Sequence, residues 1–311
     1  MIRKKRLIIC SVALAVVIAL AAFCAFVPIK RLLPAYDIPA RGEGELRLHF
    51  LDVGQGDCTL VEFPSGKVLV IDAGDGTFRA NNRLVRYLKG LRPTSLILLL
   101  THADSDHYGG FESIVETFGA EKIYLPVLDS NASSYRALLS AVEKRDIQTE
   151  TLVRYGVIEE SGAYLKCLSP YSVGETDGND ASAVLYLDYG GISAVFCADI
   201  STTRERRLAR EYLLDETLFD GASTPVRLGG VEILKLGHHG SADSSSEEWL
   251  SLLCPKTAVV SCGRGNSYAH PAGEALARLK SASPTAEIYR TDELGDIVVA
   301  IANGNYTVYT E

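Results

Sequence analysis

Five apolar residues, Leu96-Ile97-Leu98-Leu99-Leu100, run without a spacer into Thr101-His102-Ala103-Asp104-Ser105-Asp106-His107-Tyr108-Gly109-Gly110. An unbroken apolar run of this length reads as a strand buried on both faces, and such strands belong to sheets covered by helices. This strand delivers two imidazoles and two carboxylates within a stretch of six residues, 102–107. Ala103 and Ser105 are small enough for the loop to curl and turn alternate side chains inward, and Gly109-Gly110 let a helix begin close by. Imidazole nitrogens and carboxylate oxygens are ligands for Zn²⁺ and similar divalent ions. A solvated acidic turn with two incidental histidines is the ordinary alternative, and it leaves their density after such a strand unexplained.

Three further clusters repeat the arrangement. Lys235-Leu236-Gly237-His238-His239-Gly240-Ser241 follows an apolar strand, a lone Asp199 ends the strand Ala194-Val195-Phe196-Cys197-Ala198, and His270 stands in Asn266-Ser267-Tyr268-Ala269-His270-Pro271. Taken singly, Asp199 reads equally well as the cap of a helix starting near Thr202, and His270 as a surface residue before a proline-initiated helix. Five of the six histidines fall in such loops, where ligands converge. His49 alone lies inside a strand pattern and reads as an ordinary strand residue.

The remaining pattern predicts strands at 46–52, 58–63, 67–72, 95–100, 183–188, 193–197, 231–236, 257–261, 296–301 and 306–309, with helices at 81–89, after Gly110, at 246–253 and at 271–280. Strands clustered in both halves, with helices between and after them, predict two sheets covered by helices. Ahead of this, Arg3, Lys4, Lys5 and Arg6 precede an uncharged apolar run over residues 7–27, about 31 Å as a helix and long enough to cross a bilayer. Residues 1–31 are expected to be an uncleaved signal anchor, with a cytoplasmic N-terminus that puts the remainder outside. A cleaved signal peptide, giving a secreted protein, is the alternative. Residues 32–45, with Pro34, Pro39, Gly42 and Gly44, read as a linker, and residues 46–311 as the domain. Six of the 31 Lys/Arg precede residue 32, which leaves 25 basic against 39 acidic residues, a balance of −14. Such a body repels nucleic acid at long range, so a polyanion needs bound cations or a local basic path. Arg79, Arg83, Arg86, Lys89 and Arg92 offer such a path, or simply the wet face of a helix. Cys58, Cys167, Cys197, Cys254 and Cys262 lack CxxC spacing and read as free thiols, mostly buried.

These clusters, in this order, resemble the metallo-β-lactamase superfamily, and within it the hydrolase domain of the ComEC competence proteins. The resemblance rests on Phe50-Leu51-Asp52-Val53-Gly54-Gln55-Gly56-Asp57, Ile71-Asp72-Ala73-Gly74, the segment 101–110, Asn179-Asp180-Ala181-Ser182, Ala198-Asp199, His238-His239-Gly240-Ser241 and the segment 263–271, so it covers nearly all of residues 46–301. It implies an α/β fold, a four-layer αββα sandwich, with two divalent metal ions at one edge. His102 and Asp104 would bind the first ion, Asp106, His107 and His238 the second, and Asp199 would bridge them. Typical members carry His where Asp104 stands. A third His for the first ion is also missing here, with Asn179 at that position as a weak ligand. Three carboxylates harden the site, so Mn²⁺ rivals Zn²⁺. Ala198 replaces the glycine that precedes the bridging aspartate. Asp57 and Asp72 are expected to orient ligands, Ser182 and Ser241 to hydrogen-bond ligand or phosphate, and His239 and His270 to contact substrate or protonate the leaving group.

The expected activity is hydrolysis of a phosphodiester, DNA among the candidates, with Asp106 central to it, at the outer face of a cell membrane. No counterpart of the ComEC channel or oligonucleotide-binding domain is found in this sequence, so the resemblance does not imply DNA uptake. A cell-envelope phosphoester such as a phosphocholine or teichoic-acid linkage is a second substrate class, and a binding protein that keeps the fold without catalysis is a third reading. No protein partner follows from the sequence.

Overall fold

The computed structural model describes residues 36, 38–170, 178–221 and 223–310. In chain order the first half contains β1 (Leu46–Phe50), β2 (Thr59–Glu62), β3 (Val68–Ile71), α1 (Phe78–Leu91), β4 (Leu96–Leu99), α2 (Ser105–Tyr108), α3 (Phe111–Phe118), β5 (Lys122–Leu125), α4 (Ser133–Lys144) and β6 (Gln148–Thr151). The second half contains β7 (Val157–Glu160), β8 (Ala163–Ser169), β9 (Val184–Tyr189), β10 (Ile192–Phe196), α5 (Thr202–Leu214), β11 (Ile233–Lys235), α6 (Glu247–Leu253), β12 (Thr257–Val260), α7 (Gly273–Ala282), β13 (Glu287–Arg290), α8 (Thr291–Leu294), β14 (Ile297–Ala302) and β15 (Asn305–Thr310). An eight-stranded sheet is ordered β15-β14-β1-β2-β3-β4-β5-β6, and a seven-stranded sheet β13-β12-β11-β10-β9-β8-β7.

Period-two alternation decides which side chains meet between the sheets. Leu46, Leu48 and Phe50 of β1 and Ile297, Val299 and Ile301 of β14 enter one apolar cluster with Leu165, Ala194 and Phe196 of the other sheet. A second cluster joins the outer face of the larger sheet, including Leu96 and Leu98, to Leu84 and Leu88 of α1, Ile114 of α3 and Leu138 of α4. A third joins the outer face of the smaller sheet to Leu208 of α5, Trp249 of α6 and Leu279 of α7. Two sheets face each other with helices outside both, as the resemblance implies. The strand after Ser95 is buried on both sides because Leu99 joins the first cluster while Leu98 and Leu100 join the second.

Helix α1 outruns the 81–89 expectation at both ends. Thr77 caps its N-terminus by accepting the Ala80 amide at 3.3 Å, and Arg92, left-handed, ends it. Segments without a clean period escaped the sequence reading: β5 to β8, α4 and α5 have no predicted counterpart. His49 is buried in β1, with Nδ1 3.0 Å from Tyr87 Oη and Nε2 3.2 Å from Glu62. The segment read as a linker lies against the body from Tyr36 onward. Tyr36 N–H donates to Arg86 O at 3.1 Å, and Arg47 donates to Pro39 O and Ala40 O. Of the proposed basic path on α1, Arg83 is paired with Asp296 at 2.8 Å and Arg86 lies over the Tyr36 ring, both engaged within the domain. The anchor expected over residues 1–31 falls outside the described residues, among which no helix is long and apolar enough to cross a membrane. Cys58, Cys167, Cys197 and Cys262 are buried free thiols and Cys254 is an exposed one.

Parallel pairing of β3 with β4 and of β10 with β11 and β12 sends the loops after these strands to one edge. Gly110 lets the start of α3 touch the loop after β3, because a Cβ there would collide with the Ala73 carbonyl oxygen. Gly110→Ala is therefore expected to destabilise the domain by about 2 kcal/mol, as overpacking against fixed backbone does. Thermal unfolding reads this, and an unchanged midpoint would contradict the close approach.

Candidate metal centre

Asp72 follows β3 in a left-handed conformation (φ 58°). It accepts the Thr101 amide and hydroxyl, both at 2.8 Å, and lies 2.7 Å from His107 Nδ1. A carboxylate at Nδ1 keeps the proton there and aims Nε2 inward as a lone-pair donor. Turn α2 sets Asp106 beside His107. The Asp106 carboxylate lies 3.3 Å from His239 Nε2, while His239 Nδ1 faces Ser261 O at 3.0 Å and Asp57 at 3.2 Å. Asp57 in turn pairs with Lys235, which is buried at the end of β11.

Asp199 sits at the centre. Its Oδ2 lies 3.4 Å from His107 Nε2, 3.6 Å from His239 Nε2 and 3.7 Å from His238 Nε2. It follows Ala198 at φ 46°, a left-handed position where glycine would be unstrained. His238 and His239 are left-handed too, at φ 49° and 54°, and this doubly bent turn sends their rings apart at an interplanar angle of 65°. The cap of α5 is Ser201 rather than Asp199: its side chain accepts the Arg204 amide, and Asp180 accepts the Ser201 amide and hydroxyl at 2.8 and 3.1 Å. Asp199 is thereby left to the site.

Three sets of ligand atoms each lie within 4.8 Å of one another: His102, His107 and Asp199; Asp106, His107 and His239; Asp57, Asp72 and His107. The histidine that joins Asp106 and His107 is His239. Its partner in the pair, His238, is turned outward, with 29 % of its side chain exposed, and lies 3.7 Å from Asp199. Asp104 is more open still, 59 % exposed and 3.7 Å from His102 Nε2. The Asn179 carbonyl accepts the Ser182 amide at 3.0 Å. Ser182 is buried, and Ser241 accepts the Asp243 amide. His270 is half-buried, its ring 5.7 Å from that of His238 and 6.2 Å from that of His239. Lys235 escaped the sequence reading, although a lysine between Leu234 and Leu236 in an apolar strand was a usable signal.

Electrostatics tests whether these residues suit a cation. Burial pushes the His102 imidazole down to about 3, so it offers a lone pair. Burial also opposes charge on His107 and His239, but Asp199 outweighs it, helped by Asp72 for His107 and by Asp57 for His239. His107 is held well above its ordinary value and His239 up to about 10. The carboxylates are calling for positive charge. His102 Nε2, His107 Nε2, His239 Nε2 and Asp199 Oδ1 are buried without hydrogen-bond partners. Buried polar atoms that remain unpaired and converge are what divalent ions satisfy, and this nitrogen and carboxylate set fits them.

Residues 51–264 match the model of the metallo-β-lactamase superfamily. The chain belongs to this superfamily. Its members are generally metal-dependent hydrolases that bind divalent ions, and the His/Asp clusters above are this chain's candidate sites. It is 28 % identical over 286 residues to ComE operon protein 3 of Bacillus subtilis, covering 86 % of this chain and 34 % of that protein. It is 30 % identical over 232 residues to Recombination protein 2 of Haemophilus influenzae, covering 74 % and 26 %. The chain thus spans about a third or less of these ComEC-like relatives. Among solved structures it resembles the metallo-β-lactamase fold protein YhfI of Bacillus subtilis, with a TM-score of 0.52 at 10 % identity over 83 % of this chain and all of that one. CmlA β-hydroxylase gives 0.51 at 13 % identity over 85 % and 55 %. These two show the fold alone.

Proposed function

We propose that this superfamily member is a metal-dependent phosphodiesterase acting as a nuclease. The observation that carries the reading is the presence in one cluster of four buried donor atoms without a hydrogen bond, His102 Nε2, His107 Nε2, His239 Nε2 and Asp199 Oδ1. His102 and Asp104 would hold one divalent ion, Asp106, His107 and His239 a second, and Asp199 both. Zn²⁺ and Mn²⁺ suit the donors. Bound there, the ions supply Lewis acidity and a hydrolytic nucleophile at neutral pH. The protein's own groups do the rest. Asp72 keeps the proton of His107 on Nδ1, and Asp57 with Ser261 O does the same for His239. Since His239 is turned inward to Asp106, the outward His238 and the half-buried His270 are the imidazoles that face an incoming substrate. Burial, then the neighbouring His239 and His238, lowers the His270 pKa, so its ring is a neutral proton acceptor at physiological pH.

The −14 balance beyond residue 31 favours a short or surface-held substrate over long duplex DNA. A cell-envelope phosphoester is the second reading on that ground. An anchor at residues 7–27 would hold the domain at the outer membrane face.

The test is hydrolysis of single-stranded DNA, double-stranded DNA and bis-p-nitrophenyl phosphate with Mn²⁺ or Zn²⁺ by the full chain and by Asp106→Ala. Metal-dependent cleavage that falls at least about 100-fold in the variant is expected, the loss that follows when metal-borne charge stabilisation goes. Equal rates in both proteins on every substrate would sink the proposal.

A further inference from the structure

Resting on the phosphodiesterase reading, we infer that Tyr268 selects the substrate by stacking on a planar ring next to the scissile phosphate, a nucleobase rather than an alkyl headgroup. The Tyr268 ring is 68 % exposed, yet its loop is tightly built. Asn266 accepts the amides of Tyr268 and His270 at 3.1 and 3.0 Å, and its side-chain NH₂ donates to Gly263 O at 2.9 Å and to His270 O. Gln55 accepts the Gly263 amide at 3.0 Å and ties the loop to the turn after β1. Between Tyr268 and His270, Ala269 is left-handed at φ 57°, a conformation that costs a non-glycine residue on the order of 1 kcal/mol. Backbone strain held by so many bonds, to present an aromatic ring to water, calls for a function at that ring.

The ring is also aligned with the site. Tyr268 lies 5.7 Å from His270 at 28°, and His270 lies 6.2 Å from His239 at 26°. The three near-parallel rings form a ladder from solvent to the Asp106–His107–His239 set. A flat ring entering on Tyr268 continues that ladder and brings the phosphate attached to it toward the site. An aromatic cage for a quaternary ammonium needs several rings set around one point, and near-parallel rings do not provide that.

The test is equilibrium binding, which does not depend on turnover. The Mn²⁺-loaded full chain is titrated calorimetrically with thymidine 5′-monophosphate, 2-deoxyribose 5-phosphate and phosphocholine, for wild type, Tyr268→Phe and Tyr268→Ala. Because Tyr268 is exposed, the variants keep the fold, which a thermal melt checks. Wild type is expected to prefer the nucleotide about tenfold over the sugar phosphate, the range of one stacked base. Tyr268→Phe keeps that preference and Tyr268→Ala loses it. Equal affinity of the wild type for the two phosphates, a preference that survives in Tyr268→Ala, or phosphocholine binding that depends on Tyr268 as strongly, each overturns the inference. Failure of the hydrolysis test above would leave these isotherms readable, so the two ideas fail separately.

Discussion

An Asp199→Ala protein is expected to lose its bound divalent ions and at least about 1,000-fold in kcat while staying folded. One carboxylate oxygen of Asp199 lies within 3.7 Å of His107, His238 and His239, so three imidazoles meet on it. The rate loss corresponds to about 4 kcal/mol, within the several kcal/mol that metal charge stabilisation supplies. Metal content by elemental analysis, read beside kcat, is the measurement. An alanine variant that retains two ions per chain would show that Asp199 is not the shared ligand. One that turns over normally would show that the hydrolysis does not depend on this centre.

The largest effect on stability is expected at Lys235. Its ammonium is 3 % exposed and Asp57 is 5 % exposed. Burial disfavours the charged ammonium, but Asp57 and then Asp199 more than compensate and raise its pKa. Burial likewise disfavours the charged Asp57, and Lys235 with His239 overcomes it, holding the carboxyl well below its usual range. Lys235→Met removes the cation and leaves the buried Asp57 carboxylate beside Asp72 with only part of its compensation, from His239, for a loss of about 3–5 kcal/mol. Adding Asp57→Asn to Lys235→Met should restore most of that, because no unpaired charge then remains. Chemical denaturation of the two single variants and the double variant closes the cycle. Additive losses would mean that the pair is not coupled and that the methionine disturbs packing only.

The candidate cluster was legible because its residues sit at strand ends, and apolar strands are the clearest pattern a sequence offers. His102, Asp106, His107 and Asp199 stand together as their positions implied. Which of His238 and His239 turns its ring toward Asp106 was not legible. It depends on two successive left-handed residues and on which ring finds Ser261 O and Asp57, and those partners come from segments about 20 and 180 residues away. Lys235 was missed for a related reason: in an apolar strand a single lysine looks like an exception until the buried carboxylate opposite it is known. Elements β5 to β8 lie toward one end of their sheets and carry weaker alternation. Strand β6 is exposed at all four residues, so no apolar period marks it. Helix α5 carries four arginines and buries Arg204 and Glu205, which blurs its apolar stripe.

That buried Glu205 couples parts of the molecule that look separate. Its carboxylate accepts the Ser245 and Ser246 amides at 2.7 and 2.5 Å, the Thr202 amide at the start of α5 donates to Asp243 O at 2.8 Å, and the His238 amide donates to Ala198 O at 2.8 Å. Arg278 of α7 grips the same loop through the Ala242, Ser244 and Ser245 carbonyls. Asp199 and the histidine turn therefore ride on one body, and neither can swing away while α5 stays packed. Drawing Asp199 and the histidine turn apart would require α5 to leave its sheet, so the spacing of these candidate ligands is guarded by the outermost layer of the sandwich.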